Sequence, residues 1–225
     1  QLSKSSDAIF ADSDLPRDFI KSYLQYRSIL QFSTDFFVFD ITPGTLDTNL
    51  WPTIAPYFAA SQARAGQGSP SKIERDFTNP MRILRLAVPP DDKDFDGLQL
   101  GEDKFARSMA KVGKVVSAAG GDIPVEITKA DVRAVEDGME EARQGLNMFI
   151  TTLNKALNVD ELKLVPAKGQ TYPRSKGRYI TYVKGLKQCQ NRGGTTLANT
   201  WGALMVSGTM QESCQIPEAN AYFYQ

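Results

Sequence analysis

One run of carboxylates in the chain has the spacing of a calcium-binding loop. Its first, third, fifth, sixth and twelfth positions are Asp92, Asp94, Asp96, Gly97 and Asp103. Oxygen ligands at these positions, with glycine at the sixth, are typical of the helix–loop–helix calcium site. However, the twelfth ligand is Asp rather than the usual Glu, and Pro89-Pro90 breaks the entering helix. A solvated acidic loop is the alternative, so no residue is assigned as a metal ligand.

Enzymatic chemistry has little support in the composition. Histidine is absent, which excludes Ser-His-Asp and Cys-His catalysis and histidine-ligated metals. The carboxylate pairs Glu136/Glu140 and Asp137/Glu141 have helical spacing and are typical of a solvated helix face. We therefore expect a protein that is not an enzyme and that carries no cofactor.

The last quarter of the chain contains the two cysteines, Cys189 and Cys214. Two cysteines cannot build a disulfide framework or a cysteine-rich metal site. They are either two free thiols or one disulfide, which requires an oxidising compartment. The chain begins with Gln1 rather than Met, and we interpret it as a mature protein that has lost a targeting segment, an engineered start being the alternative. On that interpretation we predict a Cys189–Cys214 disulfide.

Charge is balanced in total but uneven along the chain. Residues 1–161 contain 18 basic and 24 acidic residues, whereas residues 162–211 contain eight basic residues and no acidic one. The eight are Lys163, Lys168, Arg174, Lys176, Arg178, Lys184, Lys187 and Arg192. Such polarity indicates docking on an acidic partner. The alternative is that the basic segment folds over the acidic part of its own chain.

Nucleic acid is not an expected partner of the basic segment. Tyr172, Tyr179 and Tyr182 could stack on bases. The segment nevertheless lacks any RNA-module signature, and the remainder of the chain is acidic.

Hydrophobic periodicity predicts a mainly α fold, with an antiparallel up-and-down four-helix bundle over residues 14–158. The first helix should end at Pro43-Gly44, and the third main helix should run from about Asp103 to Ala119. The clearest pattern is a heptad-like seam in residues 128–157, with Thr128 as the N-cap. Its apolar positions are Val132, Val135, Met139, Ala142, Leu146, Phe149, Leu153 and Ala156.

Two less regular segments flank this predicted bundle. Residues 1–13 should form an extended arm, and residues 159–225 an irregular, basic C-terminal extension clasped by the disulfide. Residues 179–183 could be a short strand or the start of a helix. The extension is too small to fold alone, so we expect it to pack on the bundle or on a partner.

Several segments of the predicted bundle resemble the PsbQ-type extrinsic subunits of photosystem II, including the four-helix lumenal subunit of diatoms and related algae. The resemblance is carried by Tyr23-Leu24-Gln25-Tyr26-Arg27, Asp35-Phe36-Phe37-Val38-Phe39-Asp40, Leu50-Trp51, Ile73-Glu74-Arg75-Asp76-Phe77-Thr78-Asn79-Pro80-Met81 and Pro89-Pro90-Asp91. It covers about residues 14–158 and does not extend to the tail.

The resemblance implies a location and a non-catalytic role. The protein would lie in the plastid thylakoid lumen, peripheral to the membrane, and dock on a photosystem, with photosystem II preferred. Its partners would be the photosystem core and other extrinsic subunits, and it would stabilise the complex or its oxygen-evolving centre. The alternative function is a secreted helical module that binds calcium, through the four aspartates above, or a small apolar ligand.

Overall fold

The computed structural model describes residues 15–60, 70–119 and 126–191, with residues 185–191 described by their backbone alone. Over these ranges the chain is mainly helical and has no β-strand, which confirms the predicted mainly α class. The helices are α1 (Arg17–Phe36), α2 (Thr42–Leu46), α3 (Trp51–Phe58), α4 (Asn79–Leu86), α5 (Phe95–Ala119), α6 (Lys129–Leu157) and α7 (Lys176–Asn191). The predicted arm 1–13 lies outside the described residues.

The sequence predicted that the first helical region ends at Pro43-Gly44. In the structure it continues to Leu46. A π-helical turn, Phe37–Ile41, joins α1 to α2, and the Thr42 N–H bonds back to the Phe37 carbonyl. Pro43 therefore falls in the first turn of α2, where its missing N–H is tolerated. A second π-helical turn, Glu74–Thr78, accommodates Pro80 at the start of α4 in the same way. The extra residue in the first of these turns lets the helical region continue past Pro43, where a stop was predicted.

The two longest helices, α5 and α6, pack as an antiparallel pair. Gly101 lies against Gly145 and Phe149, and Gly138 lies against Val112. Residue numbers therefore increase along α5 in the direction in which they decrease along α6. A Cβ atom on Gly101 would lie 2.7 Å from the Phe149 backbone nitrogen, and one on Gly145 would lie 2.6 Å from the Phe105 nitrogen. Glycine is therefore required on both sides of this close approach.

Helix α5 begins at Phe95, earlier than the predicted Asp103. An Asp92 carboxylate oxygen accepts the Asp94 N–H at 2.8 Å, and the Asp94 carbonyl accepts the Leu98 N–H at 3.1 Å. The glycines at positions 97 and 101 lower helix propensity in this stretch. They face α6, where packing compensates, and this tertiary contact explains the early start.

The seam of α6 is confirmed, and so is its N-terminal capping box. Thr128 and Asp131 exchange hydrogen bonds between side chain and backbone at the start of the helix. Buried seam residues are Val135, Met139, Ala142, Leu146, Phe149 and Leu153, whereas Val132 and Ala156 are half-buried. This face meets the aromatic centre of the core, where the Phe77 and Phe105 rings stack at 5.0 Å and Phe37 lies 6.2 Å from Phe105.

The described part of the C-terminal extension shares this core. Leu162, Val165, Tyr179 and Tyr182 are buried in the same cluster as the residues of α1, α5 and α6. Residues 179–183 belong to α7, which decides the open choice between strand and helix in favour of helix.

Candidate functional site

The basic segment first runs as an extended strap, residues 161–174, held by side chains from α1 and α6. Asn147 of α6 pairs with Val165 through both amide atoms: its oxygen accepts the Val165 N–H and its NH₂ donates to the Val165 carbonyl, each at 2.8 Å. Asn154 donates to the Leu162 carbonyl, and the Gln31 side-chain oxygen accepts the Lys163 N–H. These amides supply the partners that an irregular buried backbone needs.

Arg174 is not on a docking surface, which corrects one of the predicted docking residues. Its guanidinium Nε donates to both Asp35 carboxylate oxygens at 2.9 and 3.0 Å, and both side chains are less than 5% exposed. Tyr172 donates to the same carboxylate at 2.5 Å. Burial, and then the Asp35 charge, raise the pKa of the Tyr172 phenol, so it remains a protonated donor. For this residue, the alternative interpretation of folding over the chain's own acidic part is confirmed.

Further polar contacts continue this attachment along α1. At one end, Arg27 and Tyr23 donate to the Glu161 carboxylate, at 3.0 and 2.6 Å. At the other, Tyr179 of α7 donates to Asp40 at 2.5 Å. These contacts were not predicted from the sequence. The available signal was a polar residue every fourth position on the inner side of α1, at Arg27, Gln31 and Asp35.

Four of the predicted docking cations remain exposed. They are Lys168, Lys176, Arg178 and Lys184, and within residues 15–60, 70–119 and 126–184 no carboxylate forms a salt bridge with any of them. Lys176, Ile180 and Lys184 follow one another at four-residue spacing along one side of α7, and Arg178 lies at the other edge of its exposed surface. We call these four residues the α7 basic face. Its inner side is fixed by buried Tyr179 and Tyr182.

The other predicted docking residues are less informative. Lys163 is half-buried, and its ammonium bonds to the Asp160 carbonyl and carboxylate. Lys187 and Cys189 lie in α7, but their side chains are outside the described part of the chain, as are Arg192 and Cys214 altogether. The predicted Cys189–Cys214 disulfide therefore stays a prediction.

The four aspartates of the calcium pattern are not arranged as a loop. Because α5 begins at Phe95, Asp96 lies in its first turn and Asp103 two turns further along the helix. Asp94 is buried, whereas Asp96 and Asp103 are exposed. Among the described residues, no group of three or more acidic or cysteine side chains could hold a metal ion.

A groove of about 520 Å³ lies beside α5 and could receive a small molecule. Its lining includes the apolar side chains of Phe58, Ile73 and Met109 and the charged ones of Glu74, Arg82 and Lys114.

Comparisons with protein-family models, with curated proteins and with solved structures gave no match. Across the described ranges, none of the helices combines the length and the hydropathy that crossing a bilayer requires. The α7 basic face and the groove are thus the surfaces from which a function can be argued.

Proposed function

We propose that this protein is a non-catalytic docking subunit that binds an acidic surface through its α7 basic face. The observation that supports the proposal is a set of exposed cations without salt-bridge partners among the described residues, on a helix whose other side is buried in the core. A rigid helix fixes the spacing of Lys176, Arg178 and Lys184, so less conformational entropy is lost when they engage carboxylates. Lys168, on the preceding strap, extends the same basic character.

The acidic surface that we propose is the lumenal face of a photosystem, with photosystem II preferred. This choice rests on the resemblance of the 14–158 region to PsbQ-type subunits. We also propose, on the same resemblance, that this region is an up-and-down four-helix bundle to which the strap and α7 are attached. The protein would be peripheral to the thylakoid membrane, in contact with the photosystem core and other extrinsic subunits. There it would stabilise the complex or its oxygen-evolving centre, and an oxidising lumen would allow the Cys189–Cys214 disulfide.

Salt washing of thylakoid membranes tests this proposal. Exposed charge pairs are screened as the Debye length falls from about 10 Å at 0.1 M salt to about 3 Å at 1 M. We expect the protein to co-purify with photosystem membranes at low salt and to be released by about 1 M NaCl. Retention through that wash, or absence of the chain from thylakoids, would contradict the proposal.

A matched pair of variants separates the α7 basic face from total charge. The test variant is K176E/R178E/K184E, and the control K21E/K129E/K155E reverses three exposed lysines elsewhere. Both variants change the net charge by the same amount. Rebinding to salt-washed membranes should fall at least tenfold for the test variant and less than twofold for the control. Equal losses would show that net charge, and not this face, governs binding.

The groove beside α5 favours a second candidate, a helical module for a small apolar ligand. Its lining residues Phe58, Ile73 and Met109 would bury an apolar group, while Lys114 could hold a polar end; Arg82, also in the lining, is paired with Glu102. A hydrophobic fluorescent probe should then bind the native protein, and Ala110→Glu, at an exposed position of the groove lining, should weaken that binding without loss of helix content. A native protein that does not bind the probe would remove this candidate.

A further inference from the structure

The outer side of the α5–α6 pair presents two parallel rows of opposite charge. Lys104, Arg107 and Lys111 follow one another along α5, and Asp137 and Glu141 follow one another along α6. The rows lie side by side: the Lys111 ammonium is 3.4 Å from the Glu141 carboxylate. Ser108 donates to Glu141 at 3.1 Å, and this bond, followed by Lys111, lowers the pKa of Glu141, so Glu141 remains charged in mild acid.

A groove of about 350 Å³ runs between these rows and has an apolar end. Leu100 of α5 and Met148 of α6 line the groove together and are 58% and 40% exposed. Both are large apolar side chains, and removing them from water is favourable. The face therefore combines a charged stretch of mixed sign with an exposed apolar pair, as the surfaces of transient interfaces do.

We propose that this face pairs with the same face of a second copy of the chain. A two-fold axis parallel to the helices places α5 of one copy over α6 of the other. Each basic row then faces the partner's acidic row, and each Leu100 lies over a Met148 of the other copy. Because α5 and α6 are antiparallel, Lys111 lies level with Glu141 and Lys104 level with Gln144, so the rows overlap at Lys111, which faces Glu141 of the other copy.

The mixed sign of the rows favours a second copy over other occupants. An anionic bilayer or an acidic polymer would meet the basic row favourably but would be repelled by Asp137 and Glu141. A second copy satisfies both rows at once. Helix α5 is about 37 Å long, so a face two helices wide buries roughly 700 Å² per copy, which is close to the usual size of a specific interface.

The intrachain ion pairs do not compete strongly with this association. Lys111 and Glu141 are both largely exposed, and Asp137 lies 3.9 Å from Arg133 in a pair that is more exposed still. Exposed pairs of this kind contribute little to stability. In the dimer, each carboxylate gains a second cation and is shielded from water. The proposal is independent of the docking function, because the α7 basic face belongs to other residues.

Sedimentation velocity with complementary charge reversals tests the dimer. One variant, R107E/K111E, reverses two of the three cations in the basic row, and the other, D137K/E141K, makes both rows basic. We expect the wild-type chain to dimerise reversibly in the micromolar range at low salt and each variant alone to be monomeric. An equimolar mixture of the two variants should form a heterodimer at least as tight as the wild-type dimer, since both pairings are then complementary.

A control variant and a vesicle assay complete the experiment. K176E/K184E, on the α7 basic face, should dimerise like the wild type, and circular dichroism should show unchanged helix content in every variant. A wild-type chain that remains monomeric up to about 1 mM at low salt would overturn the proposal. So would binding of this face to phosphatidylglycerol vesicles, sensitive to R107E/K111E, without any dimer.

Discussion

At the scale of single residues, the buried pair Asp35–Arg174 determines how the basic segment attaches to the rest of the molecule. Asp35 accepts from Arg174, Tyr172 and the Gln31 side chain. A buried carboxylate is tolerated only when such partners replace its water. The pair therefore adds specificity, because a placement of the strap without Arg174 opposite Asp35 would leave this buried carboxylate without its ion pair.

Removing the arginine should be costly in a way that removing an exposed cation is not. Arg174→Met leaves the Asp35 charge buried without its ion pair, so we expect the free energy of unfolding to fall by about 3 kcal/mol. Arg178→Met, on the α7 basic face, should change it by less than about 0.5 kcal/mol. Urea denaturation measures both values. A loss for Arg174→Met no larger than that of the control would mean that Asp35 is not buried by the strap.

A double-mutant cycle with Asp35→Asn isolates the interaction itself. Once the carboxylate is neutral, Arg174→Met should cost less, and the difference should be about 1–3 kcal/mol. Additive losses would argue against direct contact between the two side chains.

Which residues form this site could be predicted only in part. The absence of acids in residues 162–211 identified the basic segment correctly. It could not separate Arg174 from Arg178, since the two differ only in whether an acid lies opposite, and that depends on contacts between residues 139 positions apart. Asn147 and Asn154 were missed for the same reason, because an amide on a helix gives no sign that a strap will lie over it.

At the scale of elements, the α5–α6 pair depends on two glycines at its closest approach. Gly101→Ala would place a methyl group 2.7 Å from the Phe149 backbone nitrogen, and backbone cannot yield as a flexible side chain can. We expect a loss of about 1–3 kcal/mol in the free energy of unfolding, although alanine is the better helix former.

Gly177→Ala in α7 is the matched control for this prediction. The nearest atom to its added Cβ is the Ser175 hydroxyl at 3.7 Å, an ordinary contact. Here the gain in helix propensity should prevail, stabilising the protein by up to about 1 kcal/mol. Thermal unfolding followed by circular dichroism distinguishes the two variants. A Gly101→Ala protein as stable as the wild type would show that the helices are further apart than the structure has them.

Periodicity predicted the long elements better than their ends. The seam of α6 was recognised because its apolar residues recur over the entire helix and meet a single continuous core. The early start of α5 was missed because Gly97 and Gly101 indicate a loop when considered alone, whereas packing against α6 favours helix. The passage through Pro43 was missed because a π-helical turn leaves no simple pattern in the sequence.

At the scale of the molecule, the charge asymmetry has two uses. Part of the basic segment neutralises acids of α1 and fixes the strap, through Arg174 and Asp35. The exposed remainder, on α7 and at Lys168, gives the molecule a basic face on an otherwise acidic body. From the sequence these two uses were alternatives, but the structure shows internal pairing for Arg174 and leaves the α7 cations exposed.

Zero-length crosslinking on native thylakoid membranes tests the central claim most directly. A carbodiimide joins an ammonium to a carboxylate only when the two are in contact, and mass spectrometry identifies both ends. We predict crosslinks from Lys168, Lys176 and Lys184 to acidic residues on the lumenal side of a photosystem, and their loss after the salt wash. If the chain is bound to the membrane but these lysines form no crosslink to another protein, the account is contradicted.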